Sequence, residues 1–309
     1  MQVLLEKLGR VLLPLLTPFD AQDQVNTQAL ADLVDFVIEN GYADSLIVTG
    51  STGEFHALSH EERILAFRTV KEANAGRLPL IAGTGAVTTR EAATYTREAE
   101  GLEYDCVMVV SPYYQKATQE GLYRHFKAVA AATELPVILY NIPLFTGVNI
   151  EAETLKRLVN DVPNILGIKE EAGINPTQTS LYKLVVPKEF TIYCGDDTMV
   201  LQTFPQGAVG VVSGGSHVLG DLMKRMIQLY ITGDVEGASS IYLDMFPFFH
   251  SLTPAGRVNP IPVLKTVVTL TSGIDLGAPR LPSLGATEDE LAAIKKVLKS
   301  LGKLPAQGR

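Results

Sequence analysis

The sequence predicts an α/β protein: a (β/α)8 (TIM) barrel followed by a C-terminal helical extension. Eight short apolar segments occur between residues 11 and 213, and amphipathic helical segments separate most of them. The apolar segments are nearly continuous in character rather than alternating, which is typical of parallel strands buried on both faces. A doubly wound sheet is the alternative, but such a sheet usually has five or six strands. The count of eight therefore favours the barrel.

The elements follow one another as strand and helix. The predicted strands are residues 11–17, 45–49, 78–83, 106–111, 136–140, 165–169, 190–194 and 208–213. In the first helix, apolar residues recur at helical spacing from Leu30 to Ile38, and Gly41 follows as a stop signal. Ser59 with Glu62 and Thr88 with Glu91 each predict a capping box at the start of a helix.

The pattern changes after the eighth strand. Residues from about 220 onward show helical periodicity, and several prolines between 254 and 282 divide them into separate helices. The last helix begins with the pair Thr287 and Glu290, a third predicted capping box. We therefore expect residues 1–219 to form the barrel with the active site. Residues 220–309 are expected to form a helical extension that packs on the barrel.

Composition excludes several classes of function. The net charge is −8 and no run of Lys or Arg occurs, which argues against nucleic acid or an anionic membrane as a partner. No apolar run reaches the length of a membrane span or a signal sequence. Cys106 and Cys194 are the only cysteines and lie in apolar segments, so we expect free thiols and a reducing compartment. The sequence predicts a soluble cytoplasmic protein.

Reacting groups of a barrel lie at the carboxyl ends of its strands, which makes Lys169 informative. It ends an apolar strand whose inner face would be core. Burial disfavours the charged ammonium, and a neutral amine is a nucleophile that can form a Schiff base with a ketone. A structural alternative is a lysine at the rim of the barrel, paired with Glu170 or Glu171.

Two further strand ends carry candidate groups. Tyr140 ends the preceding strand, so its phenol would lie beside Lys169 and could move protons, or it could simply fill the end of the barrel. Ser51 and Thr52 lie between two glycines after the second strand. Hydroxyls and amides in such a turn can bind a carboxylate, although an ordinary glycine turn has the same composition.

The sequence lacks the motifs that bind nucleotide phosphates, dinucleotides or metal ions. No Gly-Lys-Ser/Thr follows Gly50 at the spacing of a phosphate-binding loop, and Thr88 breaks the dinucleotide pattern that Gly83 begins. The histidines show no spacing typical of metal ligands. Asp196 and Asp197 could cap the next helix or contact a polar substrate, and we favour the cap. We expect neither a metal nor a cofactor.

Taken together, these strand ends resemble the dihydrodipicolinate synthase / N-acetylneuraminate lyase family, from about residue 8 to residue 303. The matching motifs are Gly50-Ser51-Thr52-Gly53-Glu54, Gly83-Thr84-Gly85, Pro112-Tyr113-Tyr114, Gln119-Glu120-Gly121-Leu122-Tyr123, Leu139-Tyr140-Asn141-Ile142-Pro143, Gly167-Ile168-Lys169-Glu170, Gly195-Asp196-Asp197 and Asn259-Pro260-Ile261-Pro262. The resemblance implies a lyase of the class I aldolase type, in which Lys169 forms a Schiff base with pyruvate. The resulting enamine adds to an aldehyde, or forms when a longer 2-oxo acid is cleaved.

The resemblance also implies roles for individual residues. Thr52, Tyr140 and Tyr114 would form a proton relay, with Tyr114 supplied by a neighbouring subunit of a dimer, usually within a tetramer that is a dimer of dimers. Ser51 and Thr52 would hold the pyruvate carboxylate. The backbones of Gly195 and Val212 would line the pyruvate site.

One position departs from the family pattern. Synthases that use aspartate semialdehyde carry an arginine where this sequence has Phe145, and phenylalanine cannot bind a carboxylate by charge. The leading expectation is a dihydrodipicolinate synthase. The alternatives are a 2-oxo-3-deoxy sugar-acid aldolase and a non-catalytic pyruvate-binding homologue.

Feedback inhibition by lysine is not expected from this sequence. His60, Glu91 and Tyr113 match the pattern of the family's lysine site, but Val87 replaces a polar residue there.

Overall fold

The computed structural model of the chain is a closed barrel of eight parallel strands in sequential order, with helices outside it. It describes residues 3–171, 173, 175–254 and 257–304. The strands are β1 Val11–Pro14, β2 Ser45–Val48, β3 Leu80–Gly83, β4 Cys106–Val110, β5 Val137–Asn141, β6 Ile165–Glu170, β7 Thr191–Cys194 and β8 Gly210–Val212. β1 pairs with β8, which closes the barrel. The predicted fold class and all eight predicted strands are confirmed.

Thirteen helices occur in the described ranges. They are α1 Val3–Leu8, α2 Thr27–Glu39, α3 His60–Asn74, α4 Thr89–Gly101, α5 Gln119–Ala130, α6 Pro143–Thr146, α7 Ala152–Asp161, α8 Gln178–Val185, α9 Val200–Thr203, α10 Ser216–Ile231, α11 Val235–Ser251, α12 Ile261–Ser272 and α13 Glu288–Ser300. Short 3₁₀ turns lie at Ser51–Gly53, Phe55–Ala57 and Phe204–Gln206. No helix in this part of the chain is long and apolar enough to span a bilayer.

Two apolar layers explain the continuous hydrophobic character of the strands. In β1, Leu12 belongs to the inner cluster that fills the barrel, whereas Val11 and Leu13 belong to the outer cluster between strands and helices. Because successive strand residues point to opposite faces, both faces of each strand must be apolar. Leu4 and Leu8 of α1 join the inner cluster.

The predicted capping boxes are formed at two of three sites. Ser59 and Thr287 both exchange side-chain and backbone hydrogen bonds with the glutamate three residues later. At Thr88 the cap is made, but the carboxylate of Glu91 accepts from the Thr88 hydroxyl (2.7 Å) instead of its backbone amide. The capping box predicted at Thr88 is therefore wrong in one respect: the hydrogen bond from the Thr88 amide to the Glu91 side chain is not formed.

The predicted boundary between barrel and extension lies inside α10. That helix is kinked at Leu219, whose backbone has φ −117° and ψ 22°. α10 also packs on β1, so it covers the barrel as the earlier helices do. The division at residues 219 and 220 stays a prediction, and it falls on the kink.

Candidate active site

Lys169 lies at the carboxyl end of β6 and points into the barrel mouth. Its register partners are Tyr140 on β5 and Tyr193 on β7. The side chain is only 7% exposed, and its Nζ lies 4.0 Å from the centroid of the Tyr140 ring. Among the residues that the structure describes, this Nζ has no hydrogen bond and no ion pair. The rim alternative, a lysine paired with Glu170 or Glu171, is therefore not what the structure shows.

Glycine at position 195 makes room for this lysine. A Cβ placed on Gly195 would lie 2.7 Å from the Cε of Lys169, closer than such atoms can approach. Gly195 follows β7, and its amide donates to the carbonyl of Glu170 (2.7 Å). The turn after β7 is thereby held against the end of β6, beside the lysine.

Ser51 and Thr52 occupy the 3₁₀ turn that follows β2. The positive φ values of this segment are at Thr49 (54°) and Glu54 (53°), the residues that flank the glycines, rather than at the glycines themselves. Non-glycine residues adopt this region only where surrounding contacts hold them. Thr49 Oγ1 donates to the carbonyl of Gly83 (2.9 Å), and Lys265 Nζ donates to Glu54 Oε1 (2.9 Å).

Seven of the eight predicted site residues line one cavity of about 260 Å³. They are Ser51, Thr52, Tyr140, Phe145, Lys169, Gly195 and Val212. The eighth, Tyr114, does not line it. Its side chain is 89% exposed on the surface and its backbone has a positive φ of 72°. In a single chain, Tyr114 is thus separated from the other residues of the predicted relay.

The C-terminal helices supply one wall of the cavity, which the sequence analysis did not predict. Phe249 and Leu252 come from the end of α11, and Ile261 and Leu264 come from α12. These four apolar side chains line the cavity together with residues from the strand ends. The only signal in the sequence was the family-like motif Asn259 to Pro262.

Three carboxyl groups also line the cavity: Glu171, Asp196 and Asp197. Burial raises the pKa of Glu171 to about 8, with further contributions from neighbouring carboxylates, although Lys169 opposes the rise. Burial likewise raises the pKa of Asp197 to about 6. Lys169 is the only cationic side chain among the described lining residues, so the acids outnumber it.

The two aspartates have structural contacts beyond the predicted helix cap. Asp196 Oδ1 accepts from the amide and hydroxyl of Thr198, which forms a turn ahead of α9 rather than its N-cap. Asp197 Oδ2 accepts from the amide of Gly215 at the start of α10 (2.9 Å). The predicted cap is therefore wrong for α9, and Asp197 instead connects the loops that follow β7 and β8.

The described residues offer neither a group of metal ligands nor an exposed thiol. Among the described residues, no three His, Cys, Asp or Glu side chains are grouped so that they could hold a metal ion. Cys106 and Cys194 are free and buried, away from solvent. Lys169 provides a buried amine beside a phenol, without a hydrogen-bond partner among the described residues, and such an amine is suited to carbonyl chemistry.

This barrel and its lysine define a class of enzyme, the lyases of the class I aldolase type. The chain belongs to the dihydrodipicolinate synthetase family, whose model matches residues 7–301. The 4-hydroxy-tetrahydrodipicolinate synthase of Bacillus subtilis is 43% identical over 294 residues, 95% of this chain and 99% of the relative. That of Moorella thermoacetica is 41% identical over 296 residues, 96% of this chain and 99% of the relative.

Solved structures agree with this family. The crystal structure of the enzyme from Cyanidioschyzon merolae with lysine bound superposes with a TM-score of 0.91 at 36% identity, covering 96% of this chain and 99% of that one. The chloride-inhibited dihydrodipicolinate synthase from Acinetobacter baumannii, solved in complex with pyruvate, gives 0.88 at 32% identity, covering 96% of this chain and 99% of that one. The resemblance predicted from the motifs is confirmed.

Proposed function

We propose that this lyase acts as a 4-hydroxy-tetrahydrodipicolinate synthase, joining pyruvate to an aldehyde such as aspartate semialdehyde through a Schiff base on Lys169. One observation carries the proposal: a lysine 7% exposed, without a hydrogen-bond or ion-pair partner in the described chain, faces a cavity beside Tyr140. The relatives found by sequence and the relatives found by structure are named as this synthase. No external cofactor is required, because the imine itself is the electron sink.

The proposed reaction joins pyruvate to the aldehyde through an enamine. The Lys169 amine attacks the ketone carbon of pyruvate, and loss of water gives an iminium. The iminium draws electrons from the methyl group, which loses a proton and becomes an enamine carbon. That carbon adds to the aldehyde, whose oxygen takes up a proton. Water then hydrolyses the iminium, which releases an open-chain 2-oxo acid and the free lysine. When the aldehyde is aspartate semialdehyde, the amine of this acid attacks its own ketone and water is lost, which gives the cyclic 4-hydroxy-tetrahydrodipicolinate.

Protons must reach and leave these atoms during the proposed reaction. The phenol of Tyr140, 3% exposed and stacked against Lys169, can take and return a proton at the nitrogen and at the carbinolamine oxygen. Thr52 and Tyr114 complete the proposed relay. Ser51 and Thr52 would bind the pyruvate carboxylate, and the backbones of Gly195 and Val212 would border the rest of pyruvate.

We further propose that Tyr114 acts in a neighbouring copy of the chain. Its side chain lies outside its own cavity and 89% exposed, on a backbone with positive φ. A subunit arrangement that buries it would complete the relay in the partner, and a dimer of dimers is the proposed assembly. The thiols of Cys106 and Cys194, both buried and free, fit a reducing compartment, so we place the enzyme in the cytoplasm.

A sugar-acid aldolase remains the second candidate only because of Phe145, and the compared relatives do not favour it. Nor is a non-catalytic homologue favoured, since Lys169 and Tyr140 both line the cavity. The discriminating experiment compares cleavage of 2-oxo-3-deoxygluconate with condensation of pyruvate and aspartate semialdehyde. We expect condensation to be the faster reaction. Efficient cleavage without condensation would overturn the synthase assignment.

Phe145→Arg belongs in the same assay. The side chain at this position lines the cavity and is 42% exposed, so an arginine there has room to reach a substrate. A charge-assisted contact contributes about 1.5–3 kcal/mol in favourable cases, and solvent at this site reduces that. We expect the variant to lower KM for aspartate semialdehyde about tenfold. An unchanged KM would show that the carboxylate of the aldehyde lies elsewhere.

A further inference from the structure

A buried polar pair lies directly behind the strand ends that carry Tyr140 and Lys169. Asn141 ends β5 and Glu170 ends β6, and the two are register partners one position beyond the phenol and the amine. Both side chains are buried, and Asn141 Nδ2 donates to Glu170 Oε2 (2.8 Å). A side-chain hydrogen bond therefore joins these two strand ends in addition to the backbone ladder.

The pair faces away from the cavity. Successive residues of a strand point to opposite faces, and Tyr140 and Lys169 face the barrel interior and its mouth. Asn141 and Glu170 accordingly face the helices: Asn141 Oδ1 accepts from the amide of Ile150, a member of the outer apolar cluster (2.9 Å). Neither residue of the pair lines the cavity. Any effect of the pair on the reaction must pass through the positions of the strand ends.

The pair also departs from the apolar pattern of the two strands. Other outward-facing residues here, such as Val137, Leu139 and Ile168, belong to the outer apolar cluster. Burial raises the pKa of Glu170 to about 7, which shows that a charged carboxylate is costly at this place. Replacing buried polar groups by apolar side chains of similar volume often leaves a protein equally stable or more stable. Stability alone therefore does not require a glutamate here.

Asn141 holds a second part of the site as well. Besides its bonds to Glu170 and Ile150, its Nδ2 donates to Asn149 Oδ1 (2.8 Å), which closes the segment that follows β5. Three residues of that segment line the cavity: Ile142, Leu144 and Phe145. Substitution of Asn141 would therefore disturb both the strand end and a cavity wall, whereas substitution of Glu170 removes only the bond between the strands.

We propose that Asn141 and Glu170 are positioning residues, whose hydrogen bond sets the phenol of Tyr140 relative to the amine of Lys169. This rests on the proposed function, in which the phenol moves protons at the pyruvate imine. Proton transfer needs heavy atoms about 2.6–3.2 Å apart, whereas adjacent strands are about 4.8 Å apart. A small displacement of one strand end against the other therefore slows the transfer while the fold is kept.

The test follows proton transfer with pyruvate alone. In heavy water the methyl group of the imine loses a proton, and the enamine takes up a deuteron, so NMR of the pyruvate methyl group measures the rate without any aldehyde. Glu170→Leu retains an apolar side chain and removes the hydrogen-bond acceptor. We expect exchange to slow about 10²-fold in the folded variant, the loss that a displacement of about 1 Å can cause. Unchanged exchange would overturn the proposal.

The conservative variant provides a second measurement. Glu170→Gln keeps an oxygen that can accept from Asn141, so we expect exchange near the wild-type rate. A Glu170→Gln variant as slow as Glu170→Leu would show that the hydrogen bond between the strands is not what matters, and would also overturn the proposal.

A double-variant cycle separates positioning of the phenol from a general loss of structure. Tyr140→Phe alone should slow exchange by about 10²–10⁴-fold. Without the hydroxyl there is nothing left to position, so Tyr140→Phe combined with Glu170→Leu should exchange within about twofold of Tyr140→Phe. If the two losses multiply in full instead, Glu170 acts independently of the phenol and the proposal fails.

Asn141→Ala and Asn74→Ala form a matched pair. Asn74 is also buried, at the end of α3, and both polar atoms of its side chain bond to the backbone of Leu78 (2.8 and 3.1 Å), away from the cavity. Both variants should lower the thermal unfolding midpoint, but only Asn141→Ala should slow exchange. Equal slowing in the two variants would assign the loss to destabilisation and contradict a positioning role.

The wild-type protein separates this proposal from the proposed function. Wild type that exchanges no methyl proton and traps no pyruvate with borohydride would refute the Schiff-base function, and the positioning role with it. If wild type exchanges and traps pyruvate while Glu170→Leu exchanges equally fast, the function stands and only the positioning role is refuted.

Discussion

The hydroxyl of Tyr140 is the part of that residue on which the proposed chemistry depends. Its ring packs against Lys169 in the barrel mouth and belongs to the inner apolar cluster. Phenylalanine keeps the ring and its packing, whereas it removes the only group that can carry a proton. Structure and proton transfer can therefore be separated at this residue.

Tyr140→Phe should lower kcat by about 10²–10⁴-fold while the protein stays folded, since general acid–base groups contribute on that scale. The measurement is steady-state kinetics together with the thermal unfolding midpoint. Tyr104→Phe is the matched control: its hydroxyl is also buried and donates to the carbonyl of Phe67 (2.9 Å), but it lies outside the cavity. Equal losses of activity in both variants would contradict the assigned role.

Residue types and strand ends were enough to predict several of the residues that line the candidate cavity. Lys169, Tyr140, Ser51 and Thr52 could be proposed because the carboxyl ends of barrel strands meet at one face. Glu171 was considered only as a possible partner of Lys169 at the rim. Its place in the cavity depends on how the chain leaves β6, which no local pattern in the sequence specifies.

At the scale of elements, a buried ion pair joins the C-terminal helices to the turn after β2. Lys265 of α12 is 0% exposed, and its Nζ lies 2.9 Å from Glu54 Oε1. The other oxygen of Glu54 accepts from the amide of Arg280 (3.1 Å). These contacts hold the left-handed backbone of Glu54, directly after the turn that carries Ser51 and Thr52.

Lys265→Met should destabilise the protein by about 3–5 kcal/mol, because it leaves the Glu54 carboxylate buried without its cation. Urea unfolding measures the change. Lys156→Met, which breaks an exposed pair with Glu153, should cost less than about 1 kcal/mol. Adding Glu54→Gln to Lys265→Met should recover part of the loss. A double variant no more stable than the single one would show that the ion pair is not the cause.

The role of this extension could not be derived from its sequence pattern. Its helices were predicted from periodicity and prolines, and the pattern indicated only that they pack on the barrel. The pairing of Lys265 with Glu54 joins residues 211 positions apart. Contacts of that separation depend on the closed barrel, so the local signals that predict helices contain no information about them.

At the scale of the whole molecule, the barrel could be predicted because every strand is buried on both faces and therefore needs apolar side chains on both. Sequence could not show which buried polar groups this packing would create. Glu170 is 1% exposed, and its Oε2 accepts from the side-chain amide of Asn141 (2.8 Å). Burial raises its pKa from an ordinary value of 4.5 to about 7.

This shift links stability to pH. The folded protein holds the Glu170 proton more tightly than the unfolded chain, so the contribution of this group to the unfolding free energy is complete below about pH 4.5. It is lost as the pH rises through about 7. Glu170→Gln should therefore gain stability relative to wild type between pH 5 and pH 8, by a few kcal/mol at most.

Urea unfolding of both proteins at the two pH values measures this difference. Glu72→Gln, at an exposed position of α3, serves as the control and should show no comparable change. A Glu170→Gln variant that loses stability relative to wild type as the pH rises would contradict the assigned burial of the carboxyl group.

The central claim, a covalent bond between Lys169 and pyruvate, can be tested directly by reduction with borohydride followed by mass spectrometry of peptides. We expect one reduced pyruvyl group per chain, located on the peptide that contains Lys169, and none in Lys169→Ala. Saturating pyruvate that leaves Lys169 unmodified, or that modifies Lys169→Ala to the same extent, would contradict the account.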